Sequence, residues 1–301
     1  TFSKTRSVSP YKAWKSATTG DFNGDGIGDF ATSMGEYGIL AGSGIVFIYL
    51  GSRFGTLQMK VVINGIQENA QLGGGQGALQ NLGDINGDGY DDIVIGAYLA
   101  DSNGVVDSGA AYVVFGKGSA FLPVLELSNL DGNNGFVLNG LFFDDQTGRS
   151  VSGAGDVNGD GYHDVIIGAY HADVNGGNSG KAFVIYGKEE AFDPVFELSS
   201  LIGTNGFTIN GVSLADQSGR WVGTAGDVNG DGFDDLTIGA INADPNGLDS
   251  GASYVVYGAS NFEPTLELST LDGINGYTIN GVSDNDFSGH SVSTAGDVNG
   301  D

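Results

Sequence analysis

The chain has 301 residues, of which 37 are acidic and 11 are Lys or Arg, for a formal charge of −26. That balance excludes nucleic acid and anionic membrane surfaces as electrostatic partners, because both are recognised through basic patches. Hydrophobic residues make up 40% and suffice for a large core; cysteine is absent, so there is no disulfide framework. No apolar run approaches the ~20 residues that span a bilayer, so direct membrane insertion is not expected.

From the N-terminus, the first patterned segment is DFNGDGIGD, beginning at Asp21. DINGDGYDD follows at Asp84, DVNGDGYHD at Asp156 and DVNGDGFDD at Asp227, and a fifth copy begins at Asp297 and stops at Asp301. Oxygen-bearing side chains fall at loop positions 1, 3, 5 and 9, with Gly at 4 and 6. Alternate residues then point inward around a hard cation, and the glycines permit the sharp turn. A single copy is also an ordinary Asn-Gly/Asp-Gly turn; four copies at near-constant spacing favour the cation. The predicted side-chain ligands are Asp21, Asn23, Asp25 and Asp29; Asp84, Asn86, Asp88 and Asp92; Asp156, Asn158, Asp160 and Asp164; Asp227, Asn229, Asp231 and Asp235. Position 7 (Ile27, Tyr90, Tyr162, Phe233) contributes its backbone carbonyl, which frees its side chain to be apolar. The fifth loop holds Asp297, Asn299 and Asp301 but no position 9, so it is expected to be empty or weak.

Helical calcium hands open with the same residues but close with an acid at position 12. Here position 12 is Thr32, Ile95, Ile167 or Ile238, inside a strand-like run. All-oxygen ligands on a flexible loop favour Ca2+ over zinc, copper or magnesium. The five loops hold 16 of the 37 acidic residues, so much of the charge belongs to them. At millimolar calcium and a ~0.1 mM constant, each site adds ~1.4 kcal/mol and four add ~5–6, comparable with the whole stability of a domain. The predicted role of about four Ca2+ ions is therefore structural.

Loop starts are separated by 63, 72, 71 and 70 residues, and each unit contains four strand-like segments. The first precedes the loop (149–155, 220–226, 290–296). The second follows it as an apolar, β-branched run (92–98, 164–170, 235–241) suited to burial on both faces. The third is aromatic and β-branched (45–51, 111–116, 182–187, 253–258). The fourth reads GFVLNG, GFTING or GYTING (135–140, 206–211, 276–281), with KVVING (60–65) in the first unit. Four strands per repeat of ~70 residues predict an all-β fold of antiparallel four-stranded β-propeller blades. The expected organisation is a single propeller domain over 1–301, with blades at about 11–72, 73–146, 147–217 and 218–287 and a partial one at 288–301. The first unit lacks the ELSxLDGxNG segment found at 126–135, 197–206 and 267–276.

The unit SGRWVGTAGDVNGDGFDDLTIGA (218–240) resembles the FG-GAP repeat of the integrin α-subunit propeller and its bacterial relatives. The GAP element reads Gly-Ala-Tyr at 96–98 and 168–170 and Gly-Ala-Ile at 239–241. The FG element is reduced to Thr147-Gly148, Ser218-Gly219 and Ser288-Gly289. The resemblance implies a seven-bladed propeller with calcium in loops between first and second strands. Seven such units need roughly 490 residues, so the chain is expected to be a fragment. It also implies a secreted or cell-surface adhesion module with a protein or glycan partner. A non-catalytic propeller attached to a secreted hydrolase, such as a phospholipase that cleaves glycosylphosphatidylinositol anchors, is the alternative. The near-identity of units two to four suits a third case, a structural repeat array of a large surface protein.

Strand alternation puts the cation loops on one face and the 2–3 loops (100–109, 172–180, 243–251) on the other. Seven residues before each loop start stand Trp14, Gly77, Arg149, Arg220 and His290. Arg149, Arg220 and His290 are candidate ligand-binding residues for an anion or carbohydrate on the face opposite the calcium loops. The competing reading pairs Arg149 with Asp145 and Arg220 with Asp216. The top-loop Asp and Asn residues also read as plain turn formers. His163 and His171 do not recur between units, and no Ser/His/Asp or paired-carboxylate constellation stands apart from the loops, so no enzymatic activity is expected.

Overall fold

A computed structural model describes residues 15–53 and 58–295. The first unit forms β1 (Lys15–Gly20), β2 (Asp29–Met34), β3 (Ile45–Leu50) and β4 (Gln58–Asn64). The second forms β5 (Leu79–Gly83), β6 (Asp92–Ala97), β7 (Ala110–Val114), a short β8 (Val124–Glu126) and β9 (Gly135–Asn139). The third gives β10 (Val151–Gly155), β11 (Asp164–Ala169), β12 (Lys181–Ile185), β13 (Val195–Phe196) and β14 (Gly206–Asn210). The fourth gives β15 (Trp221–Gly226), β16 (Asp235–Ala240), β17 (Ala252–Val256), β18 (Thr265–Glu267) and β19 (Gly276–Asn280). Each unit's four long strands pair antiparallel in chain order, making four propeller blades with β1, β5, β10 and β15 innermost and next to one another.

The apolar runs of the second strands are explained by which neighbour each residue faces. Ile93 and Ile95 of β6 pack with Ile48 and Val61 of the first blade, whereas Val94 packs with Val165 and Ile167 of the third. Ile166 in turn packs with Leu236 and Ile238 of the fourth. Period-two alternation therefore buries both faces, and all six residues of β6, β11 and β16 are buried.

The paired glycines of the sequence motif meet at the blade boundaries. A Cβ on Gly96, Gly168 or Gly239 would run into the backbone of Gly148, Gly219 or Gly289 of the next unit. Next to Gly148, Thr147 donates its N–H across the boundary to the carbonyl of Ser108 at 3.0 Å, so backbone touches backbone where a side chain would hold the blades apart.

The stretches that lead into the ELSxLDGxNG segments do something the repeat alignment does not reveal. Each crosses to the preceding blade, where β8, β13 and β18 pair parallel with the outer strands β4, β9 and β14. Three of the blades thus carry a fifth strand supplied by their successor. The expectation of a first strand at 290–296 is corrected: residues 290–295 form no strand, since among the described residues no second strand pairs with them, and Gly296 lies outside the described residues.

The straps also stack rings across the boundary. Phe192 lies flat on Phe136 (centroids 4.3 Å apart) and Phe262 on Phe207 (4.0 Å). Phe207 is fully buried, whereas the corresponding Tyr277 of β19 is 37% exposed. Phe207→Ala should therefore cost about 3–5 kcal/mol and Tyr277→Ala about 1 kcal/mol or less, as read from urea denaturation midpoints. Equal losses at the two positions would contradict the strap's role in burying the outer strand.

Candidate metal loops and the opposite face

In all four complete loops the side chains at positions 1, 3 and 5 turn inward onto the loop's own backbone. Asp21 accepts N–H bonds from Asp25 (2.9 Å) and Gly26 (2.7 Å), Asn23 accepts from Asp25 (3.0 Å), and Asp25 accepts from Ile27 (2.9 Å). Asp84, Asp156 and Asp227 repeat the first pattern with Asp88 and Gly89, Asp160 and Gly161, and Asp231 and Gly232. Asn86, Asn158 and Asn229 each accept the N–H two residues on, as do Asp88, Asp160 and Asp231.

Position 9 sits deeper. Asp92 accepts N–H bonds from Ile85 of its own loop (3.0 Å) and from Gly116 just past β7 (2.8 Å). Asp164 does the same with Val157 and Gly187, and Asp235 with Val228 and Gly258. Asp29 accepts from Gly51. Burial pushes the Asp92 and Asp164 carboxyls up to about 8, and the carboxylates at positions 1 and 5 of the same loop add to the rise. Asp29 and Asp235 are raised for the same reasons.

Mutually repelling carboxylates with an all-oxygen donor set fit a hard divalent cation. Among the described residues, however, no group of three or more His, Cys, Asp or Glu side chains stands together as a ready-made cage. In each loop the carboxylates at positions 1 and 5 and the Asn accept the loop's own N–H groups, while the position-9 carboxylate is held by an N–H beyond the third strand. Asp297, Asn299 and Asp301 lie outside the described residues.

Neighbouring loops interlock, a feature the sequence reading missed. Asp91 and Asp234, at position 8, accept the position-1 N–H of the preceding loop, from Asp21 (2.6 Å) and Asp156 (2.8 Å). His163 holds the equivalent place against Gly83, with its N–H on the Asp84 carbonyl. The position-7 rings of Tyr90, Tyr162 and Phe233 lie against Gly24, Gly87 and Gly159 of the loop before. The available signal was the second Asp in DGYDD and DGFDD.

On the opposite face the structure brings Arg149 and Arg220 together. The Arg149 guanidinium lies over the rings of Tyr98 (4.9 Å) and Tyr170 (5.3 Å), and Arg220 lies over Tyr170 from its other neighbour (5.3 Å). Tyr98 and Tyr170, the tyrosines of Gly-Ala-Tyr, are held through their hydroxyls by Gln71 and Gln146 (2.8 Å each). Arg220 donates to Gln217 (2.8 Å), while the Nε atoms of both arginines are buried without a partner. Burial, then the charge of Arg149, lowers the Arg220 pKa.

The Arg–Asp pairing is corrected. Among the described residues the only ion pair joins His171 to Asp144 at 3.5 Å. Asp216 instead accepts the Ser213 N–H, and the pKa of the Asp145 carboxyl is raised by burial to about 6, with Lys181 opposing and Asp173 and Asp144 adding to the rise. His290 is exposed and no hydrogen bond, ion pair or ring contact joins it to the arginines. The tyrosine position beside it is Ile241, so it lacks the ring that Arg149 and Arg220 share. Trp14 lies outside the described residues.

The FG-GAP repeat family profile matches residues 81–114, 147–185 and 218–256. Integrin alpha pat-2 of Caenorhabditis elegans is 31% identical over 235 residues, covering 75% of this chain and 17% of that protein. Integrin alpha-4 of Xenopus laevis is 30% identical over 154 residues, covering 51% of this chain and 14% of that protein. Phosphatidylinositol-glycan-specific phospholipase D of Dictyostelium discoideum is 27% identical over 225 residues, 71% of this chain and 22% of that protein. The chain thus spans between 14% and 22% of the length of these relatives. No helix among the described residues is long and apolar enough to cross a membrane. Each profile match runs from a blade's first strand or the link before it to the end of its third strand, stopping short of the strap. Since those stretches contain both the acidic loop and the glycines that abut between blades, the chain belongs to the FG-GAP repeat, integrin-α-like family of β-propellers.

Proposed function

We propose that this is a calcium-stabilised, extracellular or cell-surface propeller that binds an acidic protein or glycan on the face opposite its metal loops. The observation that carries the reading is the arginine pair: two guanidiniums share Tyr170, and among the described residues no carboxylate neutralises either one. In a chain with only 11 Lys and Arg, two unpaired cations on one rim mark an anion-binding surface. Kinship with integrin α subunits supports a protein partner. Binding rather than catalysis is the role, with Arg149 and Arg220 as contact residues and His290 as a peripheral one. The match to a phospholipase D favours a second reading, a non-catalytic module beside a hydrolase domain. A glycan and matrix-protein array probed with and without calcium tests the main reading. Acidic ligands should dominate the hits, and Arg149→Ala with Arg220→Ala should weaken them at least ~tenfold. Hits on neutral ligands that the double variant retains would refute it.

Calcium occupies the four complete loops in this proposal, through the side chains at positions 1, 3, 5 and 9 and the position-7 carbonyl. Excess EDTA should lower the melting temperature of calcium-loaded protein markedly, and an unchanged melting curve would contradict the sites. The effect has a defined pH dependence. In the metal-free protein the raised pKa values of Asp92 and Asp164 mean that stability is fully present at low pH and lost as pH rises through about 8. Calcium binds the charged form and opposes that loss, so the gap between loaded and stripped melting temperatures should widen from pH ~5 to ~8.

A further inference from the structure

The three straps share one sequence pattern and one register. They read Phe121-Leu-Pro123-Val-Leu125-Glu-Leu127-Ser, Phe192-Asp-Pro194-Val-Phe196-Glu-Leu198-Ser and Phe262-Glu-Pro264-Thr-Leu266-Glu-Leu268-Ser. In each, the proline carbonyl accepts the N–H of the outer-strand residue two before its terminal asparagine: Val62 (2.9 Å), Val137 (3.0 Å) or Thr208 (3.0 Å). The apolar residue two places after the proline pairs with Ile63, Leu138 or Ile209. The leucine after the glutamate is buried between the blades. At the third boundary Glu267 also takes side-chain N–H bonds from Asn210 (2.6 Å) and Asn175 (2.8 Å).

The fourth blade carries every acceptor feature of such a boundary and no strap among the described residues. In β19, Thr278 pairs with Tyr254 as Thr208 pairs with Phe183, so its N–H stands where Thr208 meets a proline carbonyl. Tyr277 offers the ring position of Phe136 and Phe207, touching Tyr257 edge-on. Asn280 and Asn246 correspond to Asn210 and Asn175, and Asn246 keeps its bond to Gly281 as Asn175 does to Gly211. Exposure follows the missing cover: Tyr277 is 37%, Ile279 50% and Val228 49% exposed, while Phe207, Ile209 and Val157 are buried.

We propose that the β19 edge is a docking site for one kind of segment, a Phe-x-Pro-x-Leu-Glu-Leu-Ser strap of another FG-GAP repeat, added parallel to β19. The proline carbonyl bonds the Thr278 N–H, the phenylalanine stacks on Tyr277, the residue two after proline lies beside Ile279, and the glutamate is held by Asn280 and Asn246. An edge strand alone attracts any extended chain. The proline and glutamate contacts make this one selective in register and direction. Continuity with three occupied boundaries of identical register identifies the occupant.

The probe is a fluorescein-labelled peptide of residues 259–271, titrated into the whole chain and followed by anisotropy, with amide hydrogen exchange as the site-specific readout. Saturable one-to-one binding and slowed exchange at Thr278 are expected. Thr278→Pro removes the donor and Ile279→Lys charges the flank; both alter an already exposed edge and should weaken binding ~tenfold or more with unchanged circular dichroism. Equal binding by a scrambled peptide, no binding at millimolar peptide, or no protection at Thr278 would overturn the proposal. So would indifference to both variants.

Discussion

Among the described residues every hydrophobic cluster lies between two sheets and none within one. A blade is a single layer, so its apolar side chains are buried only when a neighbour covers them. Val94 and its flanking isoleucines face opposite neighbours, and the three clusters each join two successive blades. Stability is therefore a property of boundaries, as in other repeat architectures whose units contact only their neighbours. The contacts described above are devices for holding one flat sheet against the next at a fixed distance and angle.

Three such devices act at different radii and heights of the boundary. Glycine abuts glycine on the face opposite the acidic loops, where Gly96 and Gly148 bring backbone to backbone. At the outer rim the strap adds a strand and a stacked ring. On the metal face, position 8 and position 7 of one loop reach back to the loop before it. In the proposed calcium-bound form the last device would tie cation binding to blade packing, because position 9 joins the same loop to the end of the third strand. The crowded carboxylates that make the loops costly when metal-free are thus placed where a cation would fasten two blades as well as one turn.

The arginine–tyrosine cluster on the opposite face depends on the same geometry. Arg149 and Arg220 lie about 70 residues apart in sequence, yet Tyr170 carries both, since each Gly-Ala-Tyr end lies between two inner strands. The ring offers its face to a cation from either side, and this lets two like charges approach without a carboxylate between them. Where the tyrosine becomes Ile241, the arrangement ends.

Much of this was legible in the residues. The period, the four strands per unit, the loop positions and the strand position of the aromatics follow from local patterns that repeat, and repetition separates signal from chance turns. The cross-blade contacts were not legible, since sequence repetition shows which residues are equivalent but not which neighbour each one touches. The ELSxLDGxNG segment was visible as a conspicuous insert, and only the fold shows that the residues leading into it pair with the blade before. Asp145 and Asp216 are close in sequence to the arginines, but neither forms an ion pair with them, and Asp216 accepts the Ser213 N–H instead. By itself the sequence determined the blade, its metal-type loops and their number. The tertiary structure decided what joins one blade to the next, because those contacts link residues some 70 positions apart whose meeting depends on the stacking of whole sheets.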